Sequence, residues 1–245
     1  MLVAGNEESK KLPRVSASKL KLYEACPKQY LAKYLVPQEG ELVSIYGVSG
    51  SAIHKAIEMK YKEGTDPITT FAGRMRKFVT AEVDRFEDYT RVLAEGYNIL
   101  DAFDFSWYKP VDLEKHFKLP YPNEENAICT IEGYMDLVED DRVVDFKSGK
   151  DKVDIAYVEQ DLQFIIYYWA FGQIYGKLPK RVTYHRLKDH TMVDGRDFNL
   201  TKLNDIIEEF LNDPMEYELV PREKCPTWCG VKRLTKNVTS EAAIV

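Results

Sequence analysis

The sequence predicts an α/β (α+β) domain in which helices precede, interrupt and follow a compact set of strands, with a helical elaboration on the N-terminal side. Three observations predict it. Apolar residues recur at three- and four-residue intervals up to about residue 105; alternating, β-forming runs cluster over about 113–148; and the helical period returns near residue 155.

Ser16-Ala17-Ser18 precedes Leu20, Leu22, Tyr23, Cys26, Tyr30, Leu31 and Tyr34, an amphipathic helix with serines placed to cap its start and Pro27 placed to break it. A glycine-containing loop, Tyr46 to Ser51, then leads into a second helix carrying Ile53, His54, Ile57, Glu58 and Tyr61. Small residues there permit close packing or close ligand approach. Phe78, Val79, Val83, Phe86, Val92, Leu93, Tyr97, Leu100 and Phe103 keep a helical period and predict one long helix, or two joined ones, over about 69–105. Strands follow Pro110 over about 113–118, 127–138 and 142–148, the last two joined as a hairpin by the Glu-Asp-Asp run at 139–141. A largely apolar, buried helix over about 155–175, a strand over 181–187 and a short amphipathic helix over 200–211 complete the pattern. Residues 1–13 read as a flexible N-terminus, 14–220 as a single domain with its sheet core from about 111, and 221–245 as a coil-rich tail containing cysteines.

At 245 residues the chain can bury a sizeable core, and 44% hydrophobic with 30% charged residues is the balance of a folded globular protein. No segment approaches a transmembrane span, and the polar, mixed-charge start lacks a secretory apolar stretch, so a cytoplasmic setting without membrane attachment is the default expectation. The four cysteines are too few and too scattered for a disulfide-dense fold; reduced thiols or a metal site suit them better. A net charge of −6 argues against a generic polyanion binder. A nucleic-acid ligand therefore requires local basic clusters: Lys19, Lys21, Lys28 and Lys33; Lys147, Lys150 and Lys152; or Lys177, Lys180, Arg181, Arg186 and Lys188. Each reads equally well as a solvated face.

The chemistry concentrates in the hairpin. Along 142–147, alternation places Val143, Asp145 and Lys147 on one face and Val144 and Phe146 on the other. Asp145 can grip a hard cation while Lys147 orients water or phosphate, and Asp136, on the preceding strand, can supply a second carboxylate. The bland alternative is a surface ion pair; the apolar Val143-Val144 run favours a strand emerging from a core instead. His54 can add an imidazole ligand or be a satisfied structural histidine. Gln163 and Tyr167, four apart on one helix face with Gln160 a turn earlier, need polar partners if buried; a phosphate, a water or Lys147 would serve.

Taken in order, Ser16-x-Ser18-x-Leu20-x-x-Tyr23-x-x-Cys26-Pro27-x-x-Tyr30, Gly50-x-x-x-His54, Gly133-x-x-Asp136, Asp145-x-Lys147 and Gln163-x-x-x-Tyr167 resemble the RecB-like branch of the PD-(D/E)XK nucleases, over about residues 14–170. That branch includes phage exonucleases and CRISPR-associated spacer-processing exonucleases. The resemblance implies a restriction-endonuclease-like core with a central mixed sheet, and a metal-dependent DNA exonuclease acting on single-stranded or unwound ends in recombination, repair, phage DNA processing or CRISPR adaptation. It implies that His54, Asp136, Asp145 and the Phe146 backbone carbonyl bind Mg²⁺ or Mn²⁺, that Lys147 is the catalytic lysine, and that Gln163 and Tyr167 support it. A protein partner or a second copy of the chain is compatible with it.

Many members of that branch hold an iron–sulfur cluster with one cysteine from the N-terminal Cys-Pro motif and three from the tail. Cys26 matches the first and Cys225 and Cys229 resemble two of the others, but no cysteine follows Cys229, and Cys129 reads as a buried structural thiol. The expected outcomes are therefore a relic without metal, a three-cysteine site or, against the count, a complete cluster. The competing functional class is a catalytically silent nucleic-acid-binding subunit that keeps the fold; the intact His-Asp-Asp-Lys set argues against it. A zinc-stabilised tail needs more ligands than Cys225 and Cys229 offer.

Overall fold

Local signals set the first elements. The computed structural model describes residues 12–35, 43–78, 83–84, 86–149 and 151–215, so most of the N-terminal arm and the whole tail with Cys225 and Cys229 lie outside the described residues. After β1 (Arg14–Val15), the Ser16 hydroxyl accepts from the Lys19 N–H at 3.4 Å and starts α1 (Ala17–Ala25). Cys26 closes α1 and opens α2 (Pro27–Tyr34), where Pro27 at the first helical position sacrifices no backbone bond.

The expected glycine loop is instead helix. After β2 (Val43–Ser44), α3 (Ile45–Glu63) takes in Gly47 and Gly50, because Ile45, Val48, Ala52, Ile53, Ala56 and Ile57 form one buried stripe. That stripe outweighs the roughly 1 kcal/mol each glycine costs a helix. The long helix expected over 69–105 is two, α4 (Pro67–Phe78) and α5 (Tyr89–Asp101), separated by β3 (Val83–Asp84), which pairs in parallel with β2, and by a 3-10 turn at Phe86–Asp88. A second 3-10 turn, Phe105–Trp107, leads to the strands.

β4 (Asp112–Tyr121), β5 (Cys129–Val138) and β6 (Arg142–Lys147) run antiparallel in succession. The apolar stretch expected as one helix over 155–175 is broken into α6 (Ile155–Gln160) and α7 (Leu162–Tyr175). Asp161, extended at φ −74° and ψ 127°, turns the chain, and its carboxylate accepts from the Gln163 N–H at 2.8 Å to start α7. The break takes Gln160 off the Gln163–Tyr167 face, leaving it exposed. β7 (Arg181–Arg186) returns parallel to β6, β8 (Thr191–Gly195) adds an antiparallel strand not expected from the sequence, and α8 (Leu200–Asn212) follows.

The result is a six-stranded mixed sheet, ordered β1-β5-β6-β7-β8 with β4 on the other edge of β5, covered by helices on both faces. Val143 with Leu162, Phe164, Ile165 and Leu203 belongs to one core, beneath α1, α2, α6, α7 and α8. Val144 and Phe146 join Ile53, Ile57, Phe71 and Val92 in the other, beneath α3, α4 and α5. β6 is therefore buried on both faces, each large apolar side chain contributing about 1.5–3 kcal/mol. Among the described residues, no helix is long and apolar enough to cross a membrane.

Candidate active site

The site forms where the sheet forks. β4 runs along one whole edge of β5, from Asp112 opposite Val138 to Tyr121 opposite Cys129. The other edge is shared: β1 pairs at Thr130 and Ile131, and β6 pairs at Leu137 and Val138. Between them, residues 132–136 have no strand partner on that edge among the described residues. Beyond the Leu137–Val144 pair the two strands part, and the Asp136 carboxylate accepts from the Phe146 N–H at 2.7 Å in place of a ladder bond. At this level side-chain alternation slips: Met135 faces the first core and Leu137 the second. Gly133 lies where a Cβ would come 2.7 Å from the Phe117 ring, so the bare backbone lets β4 and β5 stay close beside the fork.

Each face of the sheet sends one helix to the fork. From α3, His54 Nδ1 lies 3.5 Å from Asp136 Oδ2. From α7, Gln163 is engaged at both ends of its amide: Oε1 accepts from Lys147 Nζ at 3.1 Å, and Nε2 donates to Asp145 Oδ1 at 2.9 Å and to Tyr167 Oη at 2.7 Å. Tyr167 also donates to Asp145 Oδ1 at 3.4 Å. Asp145 is 1% exposed, and Lys147 Nζ stands 3.0 Å from its Oδ1 and 2.7 Å from its Oδ2. The Oδ2 contact is an ion pair without hydrogen-bond alignment, so that buried oxygen keeps no hydrogen-bond partner.

The charges interlock. Burial opposes protonation of His54, but Asp136, with Asp145 and Glu114 behind it, overrides burial and raises its pKa to about 9. Burial would raise the Asp136 carboxyl, yet His54, Lys147 and the Phe146 N–H together hold it below the ordinary value. Asp145 goes the other way, pushed up to about 6 by burial and by Asp136 against the pull of Lys147. Burial disfavours the Lys147 ammonium, but Asp145 and Asp136 keep it protonated, above its ordinary value.

One acid was not singled out from the sequence. Glu114 sits on β4 between Leu113 and Lys115, which pair with Leu137 and Met135, and so lies level with Asp136; its left-handed backbone (φ 48°) is one that a non-glycine residue rarely adopts. Its carboxylate groups with His54 and Asp136, their ligand atoms within 4.8 Å of one another, and burial with the Asp136 charge raises its pKa to about 7. Nothing local in the sequence marks it; the strand register brings it there.

The arrangement suits a hard divalent cation. Carboxylate oxygens are the donors such ions take, an imidazole can join them, and the donor atoms of His54, Glu114 and Asp136 already lie within 4.8 Å of one another. His54, Asp136, Asp145, Lys147, Gln163 and Tyr167 thus lie together. Phe146 turns its ring into the second core, its carbonyl lying on the strand between Asp145 and Lys147. Cys26 is partly exposed at the α1–α2 junction; Cys129 is buried, and burial pushes its thiol up to about 11, as suits a structural residue. Of the basic clusters, the last is largely spent on acids, through Lys177–Asp140, Lys180–Asp141, Arg181–Asp194 and Arg186–Asp189.

Comparison with known proteins places this chain in a family. No curated protein matches the chain. Among solved structures, the crystal structure of SSO0001 aligns over 86% of this chain and 96% of its own at 11% identity, with a TM-score of 0.32, so the architecture is read from the strand pairings above. A sequence profile of the PD-(D/E)XK nuclease superfamily matches residues 14–234, from β1 through the fork and past α8. The chain belongs to the PD-(D/E)XK nuclease superfamily, and the helix-flanked mixed sheet is its restriction-endonuclease-like core.

Proposed function

We infer that the protein is a DNA exonuclease of the RecB-like branch that uses Mg²⁺ or Mn²⁺ to hydrolyse phosphodiester bonds at single-stranded or unwound ends, as recombination, repair, phage DNA processing or CRISPR adaptation require. The observation that carries it is the gathering of His54, Glu114 and Asp136, their ligand atoms within 4.8 Å of one another, beside a buried Asp145 that Lys147, Gln163 and Tyr167 hold in place. His54, Asp136, Asp145 and the Phe146 carbonyl would hold the cation, with Glu114 beside them. When bound, the cation supplies positive charge to the phosphoryl group and makes water a stronger nucleophile.

The chain's own residues do the rest. Asp145 and Asp136 hold the Lys147 pKa above its ordinary value, which favours a role as a positive donor. With its side chain 35% exposed, it can reach a phosphate oxygen from beside Asp145 and offset charge that develops on it. Gln163 spans Lys147 and Asp145 and so fixes the distance between the cation-binding and phosphate-binding groups.

The test is cleavage of end-labelled linear and circular single-stranded DNA with Mn²⁺. Lys147→Ala and Asp145→Asn should each lose about 10²-fold or more in rate while melting as cooperatively as the parent. Circles should survive. Undiminished cleavage by either variant would sink the residue assignment, and degraded circles would sink the dependence on ends.

A further inference from the structure

A groove of about 530 Å³ opens beside the fork, between α1–α2 and the face made by β5 and α7. We propose that it cradles the single DNA strand leading to the scissile bond, with Tyr34 and Tyr134 as stacking platforms for bases and Lys33 as a phosphate contact. This rests on the nuclease reading above and adds to it where the strand lies and which side chains hold it.

Continuity comes first. Gln163 and Tyr167 line the groove and also bind Asp145, so anything lying in it meets the reacting groups. The groove follows the stretch of β5 whose edge between β1 and β6 has no strand partner among the described residues, through Glu132, Gly133 and Tyr134. Tyr134 is 54% exposed there, a large ring left in solvent on the central strand, and it packs against His116 with ring centroids 4.7 Å apart. Across the groove, Tyr34 has two ammonium groups near its face, Lys19 Nζ at 5.6 Å and Lys33 Nζ at 5.7 Å.

Charge and size then narrow the occupant. Lys21 is bound to Asp161 at 2.5 Å and so nearly cancels from the balance, while Glu132 lies 3.0 Å from His116 and leaves one carboxylate in the lining. Lys33 remains exposed, without an acidic partner among the described residues, and Lys19 donates a hydrogen bond to the neutral Arg14 carbonyl at 3.2 Å. Aromatic rings interleaved with cations are what a base-and-phosphate chain requires, and stacking accepts any base because every base has a π face. The volume falls in the range of about 300–1,000 Å³ that holds one small ligand. In a duplex the base faces are already stacked on one another, so the two tyrosine rings have no free face to take.

The measurement is fluorescence anisotropy of a labelled oligodeoxynucleotide, single-stranded or as a blunt duplex, with the full chain in EDTA at low salt so that no turnover occurs. The single strand should bind more tightly than the duplex. Tyr134→Ala should weaken it about fivefold or more, with affinity restored in Tyr134→Phe. Lys33→Gln should weaken it and lower the slope of log affinity against log salt by about 0.7. Wild-type affinity in both variants, equal affinity for duplex, or no strand binding by the parent chain overturns the proposal. Failures separate cleanly. Binding that depends on Lys33 and Tyr134 in a protein that never cleaves DNA with Mn²⁺ retires the nuclease reading and supports the cradle. Cleavage by the parent with both variants binding normally retires the cradle alone.

Discussion

Glu114 and His185 carry the sharpest residue-level consequences. Glu114→Gln should weaken Mn²⁺ binding about tenfold or more, read by calorimetric titration. An unchanged isotherm would remove it from the site. Its absence from the sequence reading has a physical cause, since the β4–β5 register that sets it level with Asp136 depends on the connection between Tyr121 and Cys129, which no periodicity encodes. Asp136, Asp145 and Lys147 were legible because alternation along one strand and a short acidic turn need no register. His185 is fully buried, with Nδ1 2.7 Å from Tyr108 Oη, and burial, aided by His190 and Arg142, pushes its pKa down to about 3. The unfolded chain, with an ordinary histidine near 6.5, then binds more protons than the folded one between about pH 3 and 6.5. This group's stabilisation is complete above that window and is lost as pH falls through it, by up to about 1.4 kcal/mol per pH unit. Asp145, raised to about 6, contributes the opposite slope over about pH 4–6. The informative quantity is therefore the difference between wild type and His185→Leu in urea midpoint, which should shrink from pH 7 to pH 5; a pH-independent difference would contradict a neutral buried imidazole.

Among the elements, helix existence was readable and helix punctuation was not. The apolar run over 155–175 signals burial, but Asp161 breaks it by offering its carboxylate to the next turn and to Lys21, a partner 140 residues away. That break is what aims Gln163, at the first turn of α7, toward Lys147. Likewise α3 absorbs two glycines because its buried stripe continues through them. The α4–α5 contact makes a testable statement about packing. Gly96 in α5 lies where an added Cβ would come 2.1 Å from the Phe71 ring of α4, and that ring is fully buried. Alanine normally gains about 1 kcal/mol over glycine in a helix. Here Gly96→Ala should instead destabilise by about 1–3 kcal/mol in urea denaturation, the cost of overpacking. A stabilised variant would mean that the two helices can move apart freely.

At the scale of the whole molecule, a cation that binds only the folded state, through His54, Glu114 and Asp136, should stabilise it by mass action. At a hundred times its dissociation constant that amounts to about 2.7 kcal/mol. For a chain of this size the melting temperature should rise by roughly 5–10 °C. Scanning fluorimetry with Mn²⁺ checks this, and Asp136→Ala should show no rise; a parent protein indifferent to the ion would contradict the site. The layered architecture was legible from the order of helical and alternating segments, whereas β8 was not, since Thr191–Gly195 is short, carries only Met192 and Val193 as apolar side chains, and is a strand only because β7 is beside it. The fork in the sheet has one more consequence. An uncovered strand edge ordinarily invites a neighbouring molecule to add its own strand. This one is closed at both ends by β1 and β6. It is an edge in the interior of a sheet, too short and too enclosed for intermolecular zipping, so it needs no charged gatekeepers and can be given over to chemistry. Lengthening β1 until it met β6 would seal the opening and abolish the site without altering a single functional side chain.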